Sequence, residues 1–121
     1  MNFKTLQRKV IAWADEKGIL RKGTLLAQVE KTREEVEEIR DAILLLEELN
    51  ADDYGPALTE RRNKLREEFD DAIGDTIVTL IILAQMRGSN ALECLEGAYN
   101  VIKHRKGEMI AGAFVKEGGE K

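Results

Sequence analysis

Between Thr24 and Leu49 the apolar positions advance in a regular four-three rhythm: Leu25, Val29, Thr32, Val36, Ile39, Ile43 and Leu46. That spacing keeps one face of an α-helix apolar along its whole length, and such a helix must pack against others from end to end. Thr24 is placed to cap its N-terminus. Whatever else the chain does, it folds around this helix.

The rest of the sequence is read as all-α. A first helix runs from Phe3 to Lys17 on the stripe Leu6, Val10, Trp13 and Ala14, and Gly18 and Gly23 bracket a loop before the long second helix. Asn50-Ala51-Asp52-Asp53-Tyr54-Gly55-Pro56 breaks the pattern, because Gly-Pro cannot continue a helix. As a calcium loop this segment fails: counted from Asn50, the fifth position is Tyr54 and the twelfth is Arg61, which removes two oxygen ligands. A third helix is expected from Thr59 to Arg87, with Gly88 as its stop. Its segment Thr76 to Leu83 has a strand's composition, but helical periodicity continues before it (Leu65, Phe69, Ala72) and after it (Ala84, Met86). A fourth helix follows Ser89 or Asn90 and ends near Lys103, and the tail from Gly107 reads as an ordered arm or short hairpin.

At 121 residues the chain has the length of one domain, spanning 1–121 with 105–121 as a C-terminal arm. Four helices with long apolar seams are not satisfied within one subunit. Ile77 and Ile81 on the third helix, with Leu44, Leu45 and Leu49 off the second helix's stripe, suggest surfaces for further copies, so a homo-oligomer is expected with the second and third helices central. The lone Cys94 cannot form an internal disulfide, which suits a reducing cytoplasm. No signal-peptide pattern is seen, and the longest apolar run, Thr76 to Ala84, is too short for a bilayer.

Charge is unevenly distributed. Residues 1–23 carry six basic and two acidic side chains, residues 24–100 carry eight and eighteen, and residues 101–121 carry five and three. Nucleic acid needs a continuous positive face, which this pattern lacks. An acidic middle with basic ends suits a small polyanion held through metal ions, or is simply a solvated acidic helix pair.

Glu34, Glu35 and Glu38 lie three and four residues apart, hence side by side on one helical face. Like charges so placed destabilise a helix slightly, although Glu is a good helix former and Lys31–Glu35 and Arg33–Glu37 are ordinary pairs. Asp75 is the sharper feature. It shares a face with Val78 and Ile82 at the edge of a segment apolar nearly all round, with Asp71 one turn earlier. Neighbouring carboxylates at the mouth of a dry region require raised pKa values, basic partners or a metal. Gly74 beside Asp75 is tolerable where a helix or ligand comes close. If a metal is the answer, the donors are all oxygen: His104 and Cys94 are single and lie outside both acidic segments, which leaves Mg²⁺, with Mn²⁺ as a substitute. A carboxylate-held Mg²⁺ polarises phosphoryl oxygens and activates water.

Through these residues the chain resembles the MazG-like members of the all-α nucleoside triphosphate pyrophosphohydrolase superfamily. Gln28, Lys31, Glu34, Glu35 and Glu38 match the family's first, Glu-Glu-x-x-Glu helix, and Ile73-Gly74-Asp75 matches the core of its second, Glu-x-x-Asp helix. Trp13, Ala84-Gln85-Met86, the run from Tyr99 to Gly107 and the tail Gly112-Ala113-Phe114-Val115-Lys116 extend the likeness to short, phage-type, single-domain members. One departure stands out: where the family has glutamate three residues before Asp75, this chain has Ala72, with Asp71 as the nearest substitute.

The resemblance implies a four-helix, MazG-like bundle with a short C-terminal arm, completed as a homodimer or homotetramer. It implies Mg²⁺-dependent hydrolysis of a nucleoside or deoxynucleoside triphosphate to the monophosphate and pyrophosphate. Glu35, Glu38, Asp71 and Asp75 would be the metal ligands, and Glu34 or Glu38 the residue that orients or deprotonates the attacking water. Lys31, Lys103, Arg105 and Lys106 are candidates for phosphate oxygens, Asn100 for sugar or phosphate, and Trp13 for stacking on the base, each with an alternative as an ordinary solvated or core side chain. The competing class is a non-catalytic helical oligomer whose acidic face binds a partner.

Overall fold

The computed structural model describes residues 1–49 and 55–118. They form five helices and a two-stranded hairpin: α1 (Phe3–Glu16), α2 (Ile19–Lys22), α3 (Leu25–Glu48), α4 (Pro56–Met86), α5 (Ala91–Ile102), β1 (Gly107–Ile110) and β2 (Ala113–Lys116). The all-α expectation therefore holds, with a hairpin added. The expected loop between Gly18 and Gly23 holds one short helical turn, which makes five helices where four were expected. The break at 50–56 falls mostly outside the described residues. At its far edge Pro56 occupies the first turn of α4, where a missing N–H costs nothing. The helix thus starts three residues earlier than its apolar pattern suggests.

Helix ends follow local chemistry. The side chains of Asn2, Thr24 and Asn90 accept from the backbone N–H groups of Thr5, Ala27 and Glu93, capping α1, α3 and α5. Gly18 takes φ +80 where the chain turns out of α1, a conformation open to glycine at little cost.

α3 and α4 form the principal packed pair, an antiparallel hairpin. α1 and α5 pack on α4 and on each other. The buried Gln7 accepts a 3.0 Å bond from Leu92 N–H, tying α1 to the first turn of α5. A Cβ on Gly23 would stand 3.3 Å from Met86 Cε, so the α2–α3 junction sits against the C-terminal end of α4. The strands pair antiparallel from Gly107–Lys116 to Ile110–Ala113 around a turn with Ala111 and Gly112 both at positive φ. The hairpin contacts no helix, which realises the expected arm.

The seam of the hairpin differs from expectation. The apolar stripe read from the sequence was to face the packed partner. In part it does: Thr32 is buried and Ile39, Ile43 and Leu46 are half-buried, but Leu25, Val29 and Val36 stand exposed, and Gln28, Glu35 and Ala42 are buried as well. Opposite them α4 buries Leu65, Ala72 and Thr79. Polar side chains are accepted here because they satisfy one another: Gln28 Nε2 donates to the Thr79 carbonyl at 3.1 Å, and Thr79 Oγ1 donates to the Thr76 carbonyl at 2.7 Å. Thr32 Oγ1 lies 2.9 Å from Thr79 Oγ1 and 3.2 Å from the Gln28 carbonyl, donating to one at a time. This network ties the two helices together, with Thr79 held by both Gln28 and Thr32 from successive turns of α3.

The apolar run after Asp75 is likewise only partly enclosed. Thr79, Ile81 and Ile82 are buried, whereas Ile77 and Leu80, like Ile73 just before Asp75, are 40–45% exposed. Ile81, expected on a partner surface, belongs to the core of the chain.

Candidate acidic cleft

Helical geometry divides the α3–α4 hairpin into two faces. On α3, stepping back from the seam leads to Glu34, Glu38 and Asp41, and stepping forward leads to Val29, Val36 and Ile43. Because α4 runs the other way, Asp71 falls on the same side as Glu38, and Ile73 and Leu80 on the side of Val29 and Val36.

The first side is a cleft of about 320 Å³ lined by Glu38, Asp41, Ala42, Leu45, Glu68, Asp71, Ala72 and Asp75. Three of the four expected metal ligands, one from α3 and two from α4, therefore share one cleft. Asp41 and Glu68 were missed in the sequence, although each stands three residues from a recognised member and so lies on the same face. Asp75 is exposed rather than sunk in a dry pocket, because the side of α4 beside it is open. Gly74 has nothing within 4 Å of where a Cβ would stand, so no close approach within the chain accounts for it.

Glu35, the fourth expected ligand, lies in the seam beside the cleft and is only 9% exposed. Lys31 Nζ stands 3.7 Å from its Oε1, and its Oε2 has no hydrogen-bond partner although it is fully enclosed. The neighbouring Glu38 carboxyl is the largest influence on its pKa, followed by burial. Together they raise it above the ordinary 4.5 against the pull of Lys31. A buried carboxylate oxygen with no donor is costly and calls for a proton or a cation. Ala72, 5% exposed, also lines the cleft, so a glutamate at that position would add one more carboxylate to it.

Five carboxylates facing one cleft repel, and their tips stand apart. Among the described residues no three Asp, Glu, His or Cys side chains are gathered tightly enough to hold an ion. The groups lining the cleft offer carboxylate oxygens, with no His or Cys among them.

The other expected site residues lie elsewhere. Glu34 is exposed and pairs with Lys31 at 3.6 Å, so Lys31 is shared between Glu34 and Glu35. Lys103, at the end of α5, sits 5.8 Å over the Tyr99 ring, and Tyr99 and Asn100 line a shallow hollow on the same helix. Arg105 and Lys106 are exposed in the turn before β1, and Trp13 is 47% exposed on α1. None of Trp13, Asn100, Lys103, Arg105 or Lys106 lines the acidic cleft of its own chain. Among the described residues no helix is long and apolar enough to cross a membrane. No family model, no curated protein and no solved structure matches the chain.

Proposed function

We propose that the chain is a Mg²⁺-dependent nucleoside triphosphate pyrophosphohydrolase that works at the acidic cleft, releasing pyrophosphate and the nucleoside or deoxynucleoside monophosphate. The observation that carries this reading is the meeting of Glu38, Asp71 and Asp75 in one cleft beside the buried, partnerless oxygen of Glu35. The resemblance of both acidic segments to the MazG-like pattern supports it independently.

Glu35, Glu38, Asp71 and Asp75 would hold the metal, with Asp71 in place of the glutamate absent at position 72. Mg²⁺, when bound there, would supply positive charge to the phosphate oxygens and lower the pKa of a water. Glu38 faces the cleft, whereas Glu34 is turned to solvent and tied to Lys31. Glu38 is therefore the better-supported residue for orienting or deprotonating a water in line with the α-phosphorus. Lys31 stands where it can pass from carboxylate to phosphate as substrate enters. The α5 and arm residues Asn100, Lys103, Arg105 and Lys106, and Trp13 on α1, would grip the nucleotide from a neighbouring copy, which makes a homodimer or homotetramer part of the reading. The lone Cys94 is in keeping with a cytoplasmic setting.

A non-catalytic helical oligomer is the second reading, favoured by the apolar strip exposed on α3 and α4. Pyrophosphate release over a panel of NTPs and dNTPs with Mg²⁺ separates the two. The enzyme reading expects turnover of at least one nucleotide, lost in Glu38→Gln and Asp75→Asn with helicity retained. Variants as active as the parent remove the cleft, and a parent inert toward the whole panel leaves the interaction module.

A further inference from the structure

The acidic cleft changes character along its length. α3 and α4 run antiparallel, so Glu38 and Asp75 mark one end of it, and Leu45 and Glu68 the other. From Glu38 to Leu45 is about 10 Å of helix rise. At the first end Glu38, Asp71 and Asp75 gather beside the enclosed oxygen of Glu35, the side chains assigned above to the metal. At the second end the wall is partly apolar. Ala42 and the exposed Leu45 form it, with Asp41 on the α3 side and Glu68 on the α4 side. Among the described residues neither Asp41 nor Glu68 forms an ion pair, and no Lys or Arg lines the cleft.

The two ends suit the two parts of a nucleotide. A triphosphate cannot rest against Asp41 and Glu68, because like charges repel and no cation of the chain stands there to offset them. A neutral base can. Its face covers the apolar surface of Ala42 and Leu45, and its edge meets carboxylates, which accept hydrogen bonds but do not donate them when ionised. That edge must therefore donate. The exocyclic amino group of cytosine or adenine does so, whereas the carbonyl that replaces it in uracil or hypoxanthine sets oxygen against oxygen.

We propose that Asp41 and Glu68 form a base-reading end of the cleft, which selects nucleotides whose base carries an exocyclic amino group. The inference rests on the hydrolytic reading and names its substrate class. Both side chains are exposed, so water competes for them and the discrimination is moderate rather than absolute.

Turnover of matched nucleotides tests it. CTP and UTP differ in the amino group at the pyrimidine edge, and ATP and ITP differ in the same way at the purine edge. Each pair is compared in ribo and deoxy forms with Mg²⁺. In at least one pair the parent should favour the amino-bearing member by about tenfold in kcat/KM. Asp41→Asn and Glu68→Gln each replace a pure acceptor by an amide that also donates, so each should bring that ratio toward one. Circular dichroism should show the helices retained. Equal efficiency within both pairs, a preference for the carbonyl-bearing member, or a preference that either variant keeps in full would overturn the assignment and leave the hydrolytic reading standing. Variants that change the ratio of ribo to deoxy forms in place of the base ratio would put a sugar hydroxyl at this end, and would overturn it too. A parent inert toward every nucleotide overturns both.

Discussion

The two faces of the α3–α4 hairpin are built from the same helices and differ in almost every other respect. One is a cleft lined by Glu38, Asp41, Glu68, Asp71 and Asp75, and the other exposes Val29, Val36, Ile73, Ile77 and Leu80. Between them runs a seam filled not by the most apolar residues available but by Gln28, Thr32, Glu35 and Thr79, held in register by hydrogen bonds. A chain folding only for its own stability would turn Val29 and Val36 inward. With polar side chains in the seam, one face of the hairpin is acidic and the other apolar.

The comparison breaks most visibly at the cleft. Asp75→Asn or Glu38→Gln should lower nucleotide turnover by at least about 100-fold, equivalent to roughly 2.7 kcal/mol of transition-state stabilisation. The same changes should leave the oligomer intact in sedimentation. In the seam, Leu65→Ala removes a side chain only 4% exposed and should destabilise the fold by about 2–5 kcal/mol, read as a lowered midpoint in urea.

Glu35→Gln sharpens the contrast, because its two effects oppose each other. Activity should fall with the loss of a cleft carboxylate, while stability in metal-free buffer should rise by up to about 1 kcal/mol as a buried charge is neutralised. The sign with pH follows from the raised pKa of Glu35. A carboxyl harder to ionise in the folded state contributes stability below its unfolded value near 4.5, and that contribution is lost as pH rises through the higher folded value. The melting temperature of the parent relative to Glu35→Gln should therefore fall across that window without metal, and Mg²⁺ should reverse the fall. The smallest effect is expected at the helix caps, where Thr24→Ala should cost about 1 kcal/mol with little change in turnover.

Much of the fold was legible in the sequence because helix ends are local. Thr24 and Asn90 cap where their side chains suggest, and Gly88 follows the last turn of α4. The turn at Ile19–Lys22 escaped notice because four residues carry no periodicity. The α3 stripe was right at Thr32, Ile39, Ile43 and Leu46 and wrong at Leu25, Val29 and Val36, because periodicity identifies an apolar face but not what covers it. Gln28 entered the seam through a partner 51 residues away, which no local pattern reveals. Asp71 and Asp75 were legible as neighbours because an offset of four sets them on one face of α4, whereas their grouping with Glu38 of α3 came from the resemblance. The burial of Glu35 beneath them was not, since it depends on the register of two helices and on the small side chain at Ala72.

The central claim is that the acidic face takes a divalent cation together with a triphosphate. Calorimetric titration of Mn²⁺ into the protein, with and without a non-hydrolysable nucleoside triphosphate, tests it most directly. The parent should bind the cation, more tightly with nucleotide present, and Asp71→Asn and Asp75→Asn should each weaken binding by about tenfold or more. Cation binding that is absent from the parent, or unchanged in both variants, would contradict the account.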